Sequence, residues 1–200
     1  MSTRRGATRY AILVCSLLET DNIDYALRVQ GMLGDISIQE LTVRHVEAND
    51  LNKEAMQRID RSAFGDDLLN IWSLTPFLRH GHVLGLFLNE SMKGFVILIK
   101  DWDEPSHAHI AEMAIDKDSQ GRGYGSHLLT NALSYLKMIG ISSVSLTVDP
   151  NNVRALHLYR DKCGFKFVEY RRNEYGEGRD RLYLRLNLCN LVKSRPNEMR

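Results

Sequence analysis

The segment that most constrains this chain runs from Ala108 to Val148. AHIAEMAI (108–115) reads as a strand, and QGRGYG (120–125) then sets three glycines into six residues. After it the period changes. Gly125, Leu128, Leu129, Ala132, Leu133 and Leu136 fall at i, i+3, i+4, i+7, i+8 and i+11, the stripe of an amphipathic helix. Gly140 stops that helix, and SSVSLTV (142–148) is a β-branched strand.

The flanking chain extends the pattern on both sides. Ile36–Val46 alternates as a strand. Asn49 and Asp50 cap a helix with Leu51, Met56 and Ile59 on one side, ending near Phe64 and Gly65. Leu68–Leu78 reads as a second short helix. His82–Leu88 and Gly94–Lys100 are strands of a hairpin joined by NESMK. Downstream, DPNN (149–152) caps a helix whose inner face holds Ala155, Leu156 and Tyr159, with Gly164 ending it. Phe165–Tyr170 is a strand, 171–180 a polar loop, and Arg181–Leu188 a last strand that closes the sheet. The order β-α-α-β-β-β-α-β-α-β-β is neither strict βαβ repetition nor all-β. It predicts an α+β domain, a mixed sheet with helices on both faces, over 37–190. Residues 1–36 read as an extension, with a strand or short helix at Tyr10–Leu18 and a helix at Asn22–Met32, and 191–200 as a tail.

Composition excludes several function classes. A net charge of +1 provides no field that gathers nucleic acid or membrane, and no run reaches the ~18–20 apolar residues of a span. Cys15, Cys163 and Cys189 are widely spaced with no CxxC pair, so neither a metal site nor a disulfide framework is expected. Basic MSTRRGATR followed by YAILVCSLL faintly resembles a leader, but the apolar run is short and acidic ETDNID follows it. Reduced thiols and a cytoplasmic location are the expectation.

A strand, a glycine loop and a helix start make an anion-binding geometry, because the first helical N–H groups lack partners and the helix dipole is positive there. Arg122 adds a charge. By itself QGRGYG also reads as a tight turn; it lacks the Lys-Ser/Thr ending of a P-loop and the spacing GxGxxG. Its neighbours separate the readings. Gln120-x-x-Gly123-x-Gly125 matches an acyl-CoA signature, Asn152-x-x-Ala155-x-x-x-Tyr159 a second one, and LYRDKCGFKFVEY (158–170) the helix-to-strand ending of the same family. Over 38–188 the chain resembles the GNAT superfamily of acyl-CoA N-acyltransferases, and within it the protein N-terminal acetyltransferases of the ribosomal-protein alanine type.

The resemblance implies acetyl-CoA as co-substrate. Its pyrophosphate would lie on the N–H groups from Gly121 through Arg122, Gly123, Tyr124 and Gly125 to Ser126, next to Gln120. The backbone of Met113, Ala114 and Ile115 would pair with the pantetheine arm, in a sheet splayed between its fourth and fifth strands. Asn152 would cap its helix and touch CoA. Tyr159 is the candidate general acid, since a phenol of pKa ~10 can protonate a thiolate whose thiol has pKa ~8.5; core packing is the competing reading.

Glu112 and His109, on the strand before the loop, are the candidate bases, each weighed against an exposed strand residue. The resemblance places a base at the position of Thr147, which threonine cannot supply. Tyr175, in the loop before the last strand, and Trp72, near Phe77, are candidate walls for the acceptor. The expected acceptor is a primary amine, of a protein or peptide N-terminus or of a small molecule, and an acyl-CoA sensor without catalysis is the reading from another class. Monomer and homodimer both stay open.

Overall fold

The computed structural model describes residues 40–65 and 69–190. The elements expected at Tyr10–Leu18 and Asn22–Met32, residues 36–39 of the first strand and the tail lie outside the described residues. The elements are β1 Leu41–His45, α1 Asp50–Phe64, α2 Ile71–His80, β2 His82–Leu88, β3 Ser91–Lys100, β4 His107–Ile115, α3 Tyr124–Met138, β5 Ser143–Val148, α4 Val153–Leu156, β6 Lys166–Arg171 and β7 Arg181–Asn187. The expected order holds throughout. Asn49 caps α1 by accepting from Asn52 N, and Asn70 caps α2 by accepting from Ser73 N.

Among the described residues, seven strands form one sheet in the order β1-β2-β3-β4-β5-β7-β6. Only β4 and β5 run parallel; the other neighbours are antiparallel. The last strand therefore does not close the sheet. It inserts between β5 and β6, and β6 is the edge. Burial explains this: Leu184 and Leu186 of β7 are buried, whereas Phe167, Val168 and Tyr170 of β6 are each about half exposed, which an edge position tolerates. The β2–β3 hairpin is also tighter than NESMK suggests. Leu88 pairs with Ser91, leaving Asn89 and Glu90 as a two-residue turn with φ of 48° and 68°.

Two apolar layers sandwich the sheet. Leu128, Leu129, Ala132, Leu133 and Leu136 of α3 pack with Val96, Leu98, Ala108, Ile110, Val144 and Leu146 on one face. On the other, Met56 and Ile59 of α1 and Leu74 of α2 pack with Phe95, Ile97 and Ala114. Truncating Leu129, fully buried, to Ala would cost about 2–5 kcal/mol. Among the described residues no helix is long and apolar enough to cross a membrane.

One local feature positions everything that follows. β4 and β5 pair only from His107–Ser143 to Ile110–Leu146. Between β3 and β4 the register jumps from Leu98–Ile110 to Ile97–Glu112, so Ala111 is the extra residue of a bulge. The bulge bends β4 where its pairing with β5 ends, and the sheet opens beyond it.

Candidate active site

The end of β4 is anchored from below. Asp116 accepts from Arg58 Nη1 at 2.8 Å and from Ser62 Oγ at 3.2 Å, both on α1. A short 3-10 turn, Lys117–Ser119, leads into the glycine loop. Gly121 and Gly123 have φ of 77° and 81°, the left-handed region that disfavours any side chain. Gly123 is the N-cap of α3, and the first bond to it is from His127 N at 3.0 Å. The N–H groups of Tyr124, Gly125 and Ser126 are those a helix start leaves unpaired.

Gln120 is a strut. Its Nε2 donates to Ile115 O at 3.0 Å, and its Oε1 accepts from Arg154 Nη1 at 2.7 Å. One side chain thus ties the loop to the end of β4 and to α4. The sequence motif names this glutamine but does not say which way it points.

Across the opening, Asn152 Oδ1 accepts from Ala155 N at 3.0 Å and caps α4. After a single α-turn the helix widens to a π-turn over His157–Lys162, where Cys163 N bonds Leu158 O at 3.1 Å. Widened turns of this kind recur at functional sites. Leu158, Tyr159 and Lys162 of this turn all line one cleft. That cleft has a volume of about 470 Å³ and runs from the glycine loop past Met113, Ala114 and Ile115 to Tyr159.

Of the expected cofactor contacts, Arg122 is the exception: it is exposed and not on the cleft wall. Arg154, His157 and Lys162 are basic wall residues that the motif reading missed. Their i, i+3 and i+8 spacing puts them on one helical side, the side that faces the cleft.

Tyr159 packs its ring edge-on against Phe165, with centroids 5.9 Å apart. Burial pushes its phenol up to about 12, with Cys163 and Glu112 adding to the rise. It holds its proton across the working pH range, as an acid must before it donates.

Glu112 sits where ionisation of its carboxyl is disfavoured. Burial raises its carboxyl far above the usual range, and the Asp60 carboxyl beside it raises it further. Asp60, on α1, is fully buried; its Oδ2 accepts from Leu69 N at 2.8 Å and its Oδ1 is without a partner unless Glu112 donates to it. Both causes favour the protonated form of Glu112.

His109 lies one residue before the β4–β5 split, with Nδ1 2.8 Å from Ser145 Oγ. Burial, then His107 and Arg171, lower its pKa. Cys163 is raised by burial, which disfavours a thiolate. Thr147, the first β5 residue past the split, has Oγ1 3.0 Å from Tyr175 OH. Tyr175 itself is half exposed, with the Arg181 guanidinium 5.0 Å from its ring. Trp72 is 85% exposed on α2 and is not on the cleft wall.

A glycine cradle at a helix start suits a diphosphate, and an unpaired strand edge suits an amide-bearing arm. The open space around Gly121 and Gly123, where a Cβ would meet nothing within 4 Å, leaves room for such a group. Fold and site therefore define a split-sheet scaffold with a diphosphate cradle beside a free strand edge, the arrangement that the resemblance to acyl-CoA N-acyltransferases implies. Its family is settled by sequence comparison: residues 47–165 match the Acetyltransferase (GNAT) family, and the chain belongs to it.

Among curated relatives, the chain is 42% identical over 67 residues to the mycothiol acetyltransferase of Rhodococcus opacus (strain B4), a match covering 34% of this chain and 22% of that protein. It is 34% identical over 92 residues to the [ribosomal protein bS18]-alanine N-acetyltransferase of Salmonella typhimurium (strain LT2), covering 46% of this chain and 60% of that one. The chain thus spans about a fifth of the first relative and less than two thirds of the second. The fold matches the crystal structure of the ribosomal-protein-S18-alanine N-acetyltransferase from Escherichia coli, with TM-score 0.66, 21% identity, and coverage of 79% of this chain and all of that one.

Proposed function

We propose that the protein transfers an acetyl group from acetyl-CoA to a primary amine by direct attack, and that the amine is the N-terminus of a protein or peptide. The observation that carries this reading is the single cleft in which the glycine cradle, the free edge of β4 and the protonated Tyr159 follow one another. In this reading the loop N–H groups and Arg154 hold the pyrophosphate, and the backbone of Met113–Ile115 holds the arm. Backbone N–H groups at the split polarise the thioester carbonyl. The amine attacks in its neutral form, which an α-amine of pKa ~7.7–8.0 already populates near neutral pH. Tyr159 then protonates the departing thiolate.

Glu112 enters this scheme as a wall residue and not as the base, because burial and the Asp60 carboxyl raise its pKa and favour the protonated form. Water takes the proton that the amine sheds. Tyr175, latched to Thr147 at the open end of the split, supports a wall against which the acceptor packs. The relatives support N-terminal and small-molecule acceptors alike, and the latch favours the former. The test is thiol release from acetyl-CoA with peptide N-termini, lysine peptides and small amines offered separately. Release with small amines alone refutes the N-terminal acceptor. Acetyl-CoA binding with release on no amine refutes transfer and leaves a sensor.

A further inference from the structure

A row of polar side chains crosses the sheet on the face away from α3. Ala108, Ile110, Val144 and Leu146 pack against α3, so the alternate residues His107, His109, Ser143 and Ser145 face the other way. Arg185 Nη2, from β7, donates to Ser143 Oγ at 2.8 Å and to Glu104 Oε1 at 2.5 Å. Ser143 Oγ lies 2.8 Å from His107 Nδ1, and His107 Nε2 lies 2.8 Å from Ser145 Oγ. Ser145 Oγ lies 2.8 Å from His109 Nδ1. Ser143, His107 and Ser145 are buried.

Donor rules orient this row. A guanidinium only donates, a hydroxyl has one proton to give, and a neutral imidazole has one donor and one acceptor nitrogen. Both histidines are shifted toward the neutral form. Burial and then Arg185 lower His107, against Glu104, Asp101 and a backbone hydrogen bond at Ser143; burial, His107 and Arg171 lower His109, against Asp101 and Glu174. Ser143 receives a bond from Arg185 and gives its proton to His107 Nδ1. His107 then carries its proton on Nε2 and gives it to Ser145, which gives its own to His109 Nδ1. The reverse polarity would have Ser143 accept twice and leave its buried hydroxyl proton without a described acceptor, a cost of about 1–3 kcal/mol.

We propose that Arg185, acting through Ser143, His107 and Ser145, fixes His109 as the Nε2–H tautomer, so that at the split His109 is a hydrogen-bond donor and not a proton acceptor. Nε2 is then the ring nitrogen that carries the proton, beside the point where β4 and β5 part. Arg185, Ser143, His107 and Ser145 are positioning residues, since they act through His109.

The tautomer is read without any turnover. Long-range 1H–15N imidazole spectra of the labelled protein near pH 7.5 should show His109 with Nδ1 unprotonated and Nε2 protonated. Ser145→Ala, a small change that leaves the sheet packing intact, should turn that single pattern into a mixture. Arg185→Met should do the same to His107 and His109 together. A protonated Nδ1 in the wild type overturns the proposal, and so does a His109 pattern unmoved by Ser145→Ala. Because the spectrum is taken on the protein alone, loss of the transfer reading in the thiol assay would leave this result to stand or fall by itself.

Discussion

Replacing Gly123 by alanine isolates what the glycine loop does. The residue sits at φ 81°, and a Cβ there meets nothing within 4 Å, so no clash contributes. What remains is conformational: about 1–2 kcal/mol for an L-residue in the left-handed region. The unfolded chain, made stiffer by alanine, offsets about 0.4–1 kcal/mol of that. A net loss of about 1 kcal/mol corresponds to a fall in Tm of about 2–4 °C for a chain of this size.

Affinity should suffer more than stability. The added methyl projects into the cradle, and a lost hydrogen bond to a charged group is worth about 1.5–3 kcal/mol, roughly 10- to 150-fold in Kd. Gly125→Ala is the control. Gly125 has no positive φ, and its Cβ would lie 3.6–3.8 Å from Leu158, Met113 and Ile115, ordinary contact. That helical site should gain about 0.5–1 kcal/mol. Thermal unfolding of the free protein and calorimetric titration with CoA read the two effects. If Gly123→Ala keeps both its Tm and its CoA affinity, the cradle argument fails.

Three further outcomes are expected. Tyr159→Phe should lower kcat by roughly 10²–10⁴-fold while the Kd for acetyl-CoA stays within a few-fold; unchanged turnover would remove Tyr159 as the acid. Glu112 binds its proton more tightly folded than unfolded, so its stabilisation is full below its ordinary value of 4.5 and is lost as pH rises toward the raised folded value. Glu112→Gln, which keeps a donor for Asp60, should therefore match the wild type in urea unfolding at pH 5, exceed it at pH 9, and retain thiol release. A stability gap that does not widen with pH, or a hundredfold loss of turnover, would contradict this. Arg154→Ala removes both a cleft cation and the partner of Gln120 Oε1, and should weaken CoA binding about 10-fold or more, an effect that added salt diminishes in the wild type.

Much of the site is local and was legible for that reason. The period change after Gly125 specifies α3, whose five leucine and alanine positions are all buried. Asn49 and Asn152 cap their helices as their residue type and position predict. Gly121 and Gly123 sit where only glycine is comfortable. Each of these depends on neighbours within a few residues, so short-range spacing carries the information.

The parts that sequence spacing could not give are set by long-range pairing. β7 lies inside the sheet because β5 offers it a partner from Ser143 to Val148, a choice its alternation does not express. Arg154 and Lys162 are recognisable as cleft residues only once their helix is set against the glycine loop and β4, far away in sequence. Glu112 looks like a base on a strand until burial, and then Asp60 from 52 positions earlier, raise its carboxyl.

The sequence by itself determined the cradle, the helices and the order of the elements along the chain, because backbone freedom, capping and period are local properties. The tertiary structure alone decided the place of β7 in the sheet, the raised pKa of Glu112, the row that ends at His109 and the opening of the sheet beyond Ile110, because desolvation, charge neighbours and strand pairing exist only once distant segments meet.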